Sequence, residues 1–175
     1  MALITTVSPE TAEGPIAEAY KPFLETIGVV PKPLEMVSVS PELFKIQAET
    51  IGYFMQHPTL GLPLLTFIRL LVSVAYDYEY CIGFNSGLLT SQGVSEELLS
   101  SVKTDPSKAP LEEKDKAMLL FVLKAVKTPE AIDQNDVKGL LEMGWSEKDI
   151  FDAVSHGMGM IGPSKMFKAF KMGDG

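Results

Sequence analysis

"PLLTFIRLLVSVAYDYEYCIGFNSGLL", residues 63–89, is the stretch whose reading decides the fold. It is apolar on nearly all faces of a helix and lacks the strict alternation of a half-buried strand. The pattern predicts a central buried helix from about Pro63 to Leu89. Arg69 interrupts the apolar run, which is too short to cross a bilayer.

Helix signals continue on both sides. Upstream, Pro15 stands where a first turn tolerates proline and Gly28 where a helix stops, and Ser40 precedes Pro41 as an N-cap. "HPTLGLP" then breaks the chain before the central segment. Downstream, Gly93 ends one helix and Ser95 opens the next, and "APLEEKDKAMLLFVLKAV" carries its acids early and its lysines late, as the helix dipole favours. Asp133 caps "QNDVKGLLEMG", Gly144 ends it, and Ser146 opens the last long segment. Trp145 is expected to anchor that helix start in the core, and His57, in a loop before Pro58, is expected to be exposed. The fold class is all-α, with about six to eight helices and short loops, in one domain over residues 1–175. "KTDPSKAP" (residues 103–110) reads as a surface loop between two helical halves.

The bulk properties narrow the function. A net charge of -8 argues against nucleic acid and anionic membranes as partners. One cysteine cannot form an internal disulfide, and "MALITTVSPE" has neither the basic nor the apolar region of a signal peptide, so a cytoplasmic protein is expected.

The order of "VSPETAEGPIAEAY…IGVVPKPLEMVSVSPEL", the Glu79-Tyr80-Cys81 tripeptide, "GVSEELL", "PLEEKDKAMLLFVLKAV" and "GWSEKDIFDAV" resembles the alkylhydroperoxidase D-like, or carboxymuconolactone decarboxylase-like, superfamily, and within it the peroxidase-related branch. The resemblance covers almost the whole chain. It implies a helical bundle that forms homo-oligomers, with a pocket near subunit contacts. "LLTFIRLLV" is the face expected to be buried against a second subunit.

Active relatives carry Cys-x-x-Cys, a His four residues later and a Glu about a dozen residues upstream. Residues three and four apart share a helix face, so two thiols and an imidazole converge, one thiolate attacks peroxide and the other cysteine resolves the product. In this register Cys81 takes the peroxide-attacking position, Tyr78 the first cysteine's place, Asn85 that of the His and Thr66 that of the Glu. Tyr78 cannot form a disulfide and Asn85 cannot take up a proton near neutral pH, so the two-cysteine mechanism is excluded.

Three functions stay open. The first is a one-cysteine thiol peroxidase in antioxidant defence, with Cys81 as nucleophile and His156, from a second helix, as base. The second is a non-catalytic protein that binds a small molecule or a partner. Its pocket would be rimmed by Tyr78, Tyr80, Asn85 and His156, with Thr66 and Met160 alongside. The third is lactone decarboxylase-type chemistry. Against the first stands the tendency of free cysteine to act as a small core hydrophobe. In "SHGMGMIGPSKM" His156 and Met160 are spaced to share a face, and Gly162-Pro163 invites a break. His156, Met158, Met160 and Cys81 could suit a soft metal, yet no two have a recognised ligand spacing, so neither metal nor cofactor is expected. Tyr76 and Tyr80 would share a helix face, and Asp77 and Glu79 diverge as solvated charges.

Overall fold

The structure is a computed structural model that describes residues 2–173. These residues form ten α-helices and two short 3-10 turns, without a strand among them. The helices are α1 (Gly14–Ile27), α2 (Lys32–Val37), α3 (Pro41–Met55), α4 (Leu62–Ala75), α5 (Glu79–Ser91), α6 (Glu96–Thr104), α7 (Glu113–Lys127), α8 (Gln134–Glu142), α9 (Glu147–Met158) and α10 (Ile161–Ala169).

The all-α reading holds, but the count exceeds the expected one for identifiable reasons. The central segment is two helices, not one. Tyr76 closes α4, Asp77 adopts a left-handed conformation (φ 49°), and Tyr78 is the N-cap of α5. Aspartate enters this region more readily than most non-glycine residues, so the break needs neither Gly nor Pro. Tyr76 and Tyr80 therefore lie on different helices, and the Tyr76 hydroxyl donates to the Val126 carbonyl (3.2 Å). The Gly-rich stretch after His156 also divides: α9 ends at Met158 and α10 begins at Ile161, slightly ahead of the Gly162-Pro163 pair.

Several caps stand where the sequence puts them. Gly28 ends α1 at φ 72°, its N–H donating to the Leu24 carbonyl. Ser95 accepts from the Leu98 N–H, and Asp133 and Ser146 each form a complete capping box, with Asp136 and Asp149 respectively. A cap of this kind is worth about 1 kcal/mol. Trp145 is buried, donates from its indole to the Lys114 carbonyl (3.1 Å) and carries the Lys114 ammonium over its ring (4.2 Å).

The chain divides into two units, one of the residues through Gln56 together with those from Lys165, the other of His57–Ser164. In the first, α3 packs on α1 and α2 around Tyr20, Val30, Leu34 and Phe44, with the Tyr20 and Phe44 rings edge to face at 5.4 Å. In the second, α4 is the central element and packs on α5, α7 and α9, while α7 also meets α8 and α9. The loop at residues 103–110 lies inside this second unit.

Leu64, Leu65, Phe67, Ile68, Leu70, Leu71 and Val72 are all buried within the single chain. Each such side chain contributes about 1.5–3 kcal/mol of burial. The stretch expected to face a second subunit is thus already covered, apart from Arg69, which stays partly exposed.

Candidate functional site

The site lies in the second unit, on α4, α5 and α9. Arg69 is the one cation on α4. One turn earlier on the same helix, Thr66 Oγ1 accepts from Arg69 Nη2 (2.9 Å) and donates its own O–H to the Leu62 carbonyl (2.7 Å). From α5, Asn85 Oδ1 accepts from Arg69 Nε (2.9 Å), while its amide nitrogen donates to the Cys81 carbonyl (2.8 Å). From α9, His156 Nε2 stands 3.3 Å from Arg69 Nη1.

A glycine allows the third approach. A Cβ on Gly157 would lie 2.7 Å from Val122 Cγ1 on α7 and 3.4 Å from Ile68 Cγ2 on α4. Only a residue without a side chain lets α9 come this close, and His156 is its immediate neighbour.

Guanidinium only donates, so His156 Nε2 must be the bare, accepting nitrogen. The proton then sits on Nδ1, and the ring also has a hydrogen bond with the Leu65 backbone. Burial, reinforced by the Arg69 charge, pushes the imidazole pKa down to about 3. A general base works best with a pKa near the operating pH. His156 is therefore a neutral acceptor for Arg69 and a poor proton acceptor for a thiol.

Cys81 occupies the first turn of α5 and is buried. Burial raises its thiol pKa to about 11, against the opposing effects of the Tyr78 hydroxyl and the Arg69 charge. Desolvation of the thiolate wins over both helpers, so the sulfur is a thiol at neutral pH. Tyr78 is buried beside it, and burial followed by the proximity of Cys81 raises its phenol above the ordinary value. Arg69 is itself pulled down to about 10 by burial and remains a cation.

Thr66, Asn85 and His156 thus meet on one guanidinium, with Cys81 and Tyr78 next to it. Tyr80 is half-buried and stacks on Phe84 (6.1 Å, 12°). Met160 is half-buried in the turn between α9 and α10, so it does not continue the helix face of His156. Asp77 and Glu79 are exposed, as expected. An open groove elsewhere on α5 and α6 is lined by Ser86, Gly87, Thr90, Ser91, Glu96, Leu99 and Lys103, and includes none of the candidate residues. Among the described residues, no group of three or more His, Cys, Asp and Glu side chains could hold a metal ion, and no helix is long and apolar enough to cross a membrane.

Sequence reasoning missed Arg69 as the organising residue, although a lone cation inside an apolar helix is a signal of a buried polar contact. It also misplaced His57. That side chain is 0% exposed: Nδ1 accepts from the Leu60 N–H (3.0 Å), which leaves Nε2 to donate to Asp152 (3.1 Å). His57 folds its own loop back onto α9, a structural role.

No family model and no curated protein matches the chain. The solved structures that share its fold include the following two. One is an alkylhydroperoxidase AhpD core, an uncharacterized peroxidase-related protein from Ralstonia eutropha JMP134, with TM-score 0.82 and 18% identity over 98% of this chain and 90% of that one. The other is an uncharacterized peroxidase-related protein from Silicibacter sp. TM1040, with TM-score 0.78 and 19% identity over 97% and 87% of the two chains. The polypeptide has the fold of the alkylhydroperoxidase D-like, peroxidase-related proteins.

Proposed function

We propose that this protein binds a small molecule on the alkylhydroperoxidase D-like scaffold and is not a thiol peroxidase. The observation that carries this reading is the state of Cys81: a buried thiol whose pKa lies near 11, while His156, held on Arg69, is too weakly basic to take a thiol's proton. Peroxide reduction needs a thiolate, and reactive cysteines occupy electropositive, partly exposed surroundings. Arg69 and Tyr78 favour the thiolate, which is the one feature on the side of a one-cysteine peroxidase, but burial outweighs them.

The polar core of the proposed site is Arg69 with Thr66, Asn85 and His156. Cys81 and Tyr78 form its neutral wall, and Tyr80 and Met160 are its outer members. A cytoplasmic homo-oligomer belongs to the same reading; light scattering that finds only monomer at micromolar concentration would remove that part. The function is tested by hydroperoxide consumption in the presence of a dithiol reductant. Wild-type protein and Cys81→Ala should consume peroxide equally slowly, and turnover that depends on Cys81 would overturn the proposal.

A further inference from the structure

At neutral pH every group that hydrogen-bonds the Arg69 guanidinium is uncharged: the Thr66 hydroxyl, the Asn85 amide and the His156 imidazole; Cys81, which feels the Arg69 charge, is a neutral thiol. The ion pairs among the described residues all lie elsewhere, and none involves Arg69. A desolvated charge without a counter-charge is among the costliest things a protein can hold. Three of the five guanidinium N–H groups are used, one each toward Asn85, Thr66 and His156, which leaves two without a partner among the described residues. Arg69 is not sealed in, because part of the residue still reaches the surface.

We propose that Arg69 is the receptor for the carboxylate of a small-molecule ligand, held by the two remaining guanidinium N–H groups. The proposal rests on the binding-protein reading above and names its ligand class. The donor census separates carboxylate from phosphate. The Thr66 proton is committed to Leu62 and the Asn85 amide nitrogen to Cys81. One positive charge and two N–H groups match one negative charge on two oxygens, the fork pairing that arginine makes with carboxylates. A phosphate brings close to two negative charges and more acceptor oxygens than this site has donors to meet.

His156 supplies a readout independent of activity. An anion on Arg69 offsets the charge that helps to depress the imidazole, so the ring signals must respond. The chain has two histidines, and His156→Asn tells their imidazole NMR signals apart. In wild-type protein, millimolar acetate or propionate should move the His156 signals saturably and leave those of His57 still, while chloride or phosphate at equal ionic strength should not. Arg69→Gln should abolish the response to the carboxylates. Arg69→Lys, which keeps the charge and loses the fork, should weaken it by roughly tenfold; should Arg69→Gln not fold, the wild type and Arg69→Lys carry the test.

A silent titration in folded wild-type protein overturns the proposal, as does an equal response to chloride or phosphate, or one unchanged in Arg69→Lys. The peroxide assay addresses the underlying reading separately. A silent titration without Cys81-dependent turnover removes the carboxylate alone.

Discussion

Arg69 Nε donates to Asn85 Oδ1 across 2.9 Å, and this bond joins α4 to α5 at the residue that the resemblance sets in the place of the relatives' His. Thr66 and Asn85, which the resemblance sets at the Glu and His positions, are both acceptors for one guanidinium. Both side chains hold a cation in place. Asn85→Leu would leave the Arg69 Nε–H unsatisfied at a cost of about 1–3 kcal/mol, read as a lower urea midpoint.

Cys81 should resist labelling. With its pKa raised to about 11, the native thiol should react slowly with iodoacetamide at neutral pH, and the rate should still be rising between about pH 9 and 11. Mass spectrometry of timed aliquots measures it. A plateau below the ordinary thiol value of about 8.5 would contradict the burial argument.

Acid should act through His156. Its folded-state pKa is depressed to about 3, against about 6.5 for a free imidazole, so between those values the unfolded chain binds more protons. The contribution is fully present above about pH 6.5 and is lost as pH falls toward 3. His156→Gln keeps an acceptor for Arg69 but does not titrate. Urea midpoints at about pH 7 and about pH 4 should fall further for the wild type than for the variant; equal losses would refute the assignment.

Two glycines should respond in opposite directions to alanine. Gly157→Ala drives a Cβ to 2.7 Å from Val122 Cγ1 and should cost about 1–3 kcal/mol through overpacking. Gly83, within α5, has nothing within 4 Å of a Cβ, so Gly83→Ala should gain up to about 1 kcal/mol. Thermal melts of the two variants provide the comparison, and a neutral Gly157→Ala would show that α9 is free to shift.

Asp77 tests the helix break. At φ 49°, Asp77→Gly should be neutral or stabilising, whereas Asp77→Val should lose about 1–2 kcal/mol through left-handed strain. Equal effects of the two substitutions on the melting temperature would be inconsistent with the turn.

What the sequence reveals and conceals follows from the range of the interactions. Asp133 and Ser146 are legible as caps because their partners lie three residues on, inside the same motif. The break at Asp77 is hidden, since apolar residues flank it on both sides and aspartate in a left-handed turn leaves no periodic mark. Arg69 is visible as a lone cation, but its partners Asn85 and His156 are 16 and 87 positions away. His57 looks exposed beside Pro58 because Asp152, which completes its burial, is 95 positions distant. Capping is local chemistry; the site depends on which helices meet.

The turn at Tyr76–Tyr78 also bears on the order in which the molecule comes together. It makes α4 and α5 a helical hairpin with a short connection, so their docking costs little loop-closure entropy. Thr66, Arg69, Cys81 and Asn85 all belong to that hairpin, whereas His156 arrives from a distant stretch of chain once α9 settles over Gly157. The guanidinium would then lose its water late, after the hairpin has formed. Kinetic measurements should find that Leu71→Ala or Leu89→Ala slows folding, while Ile150→Ala mainly speeds unfolding; the reverse pattern would place α9 in the nucleus.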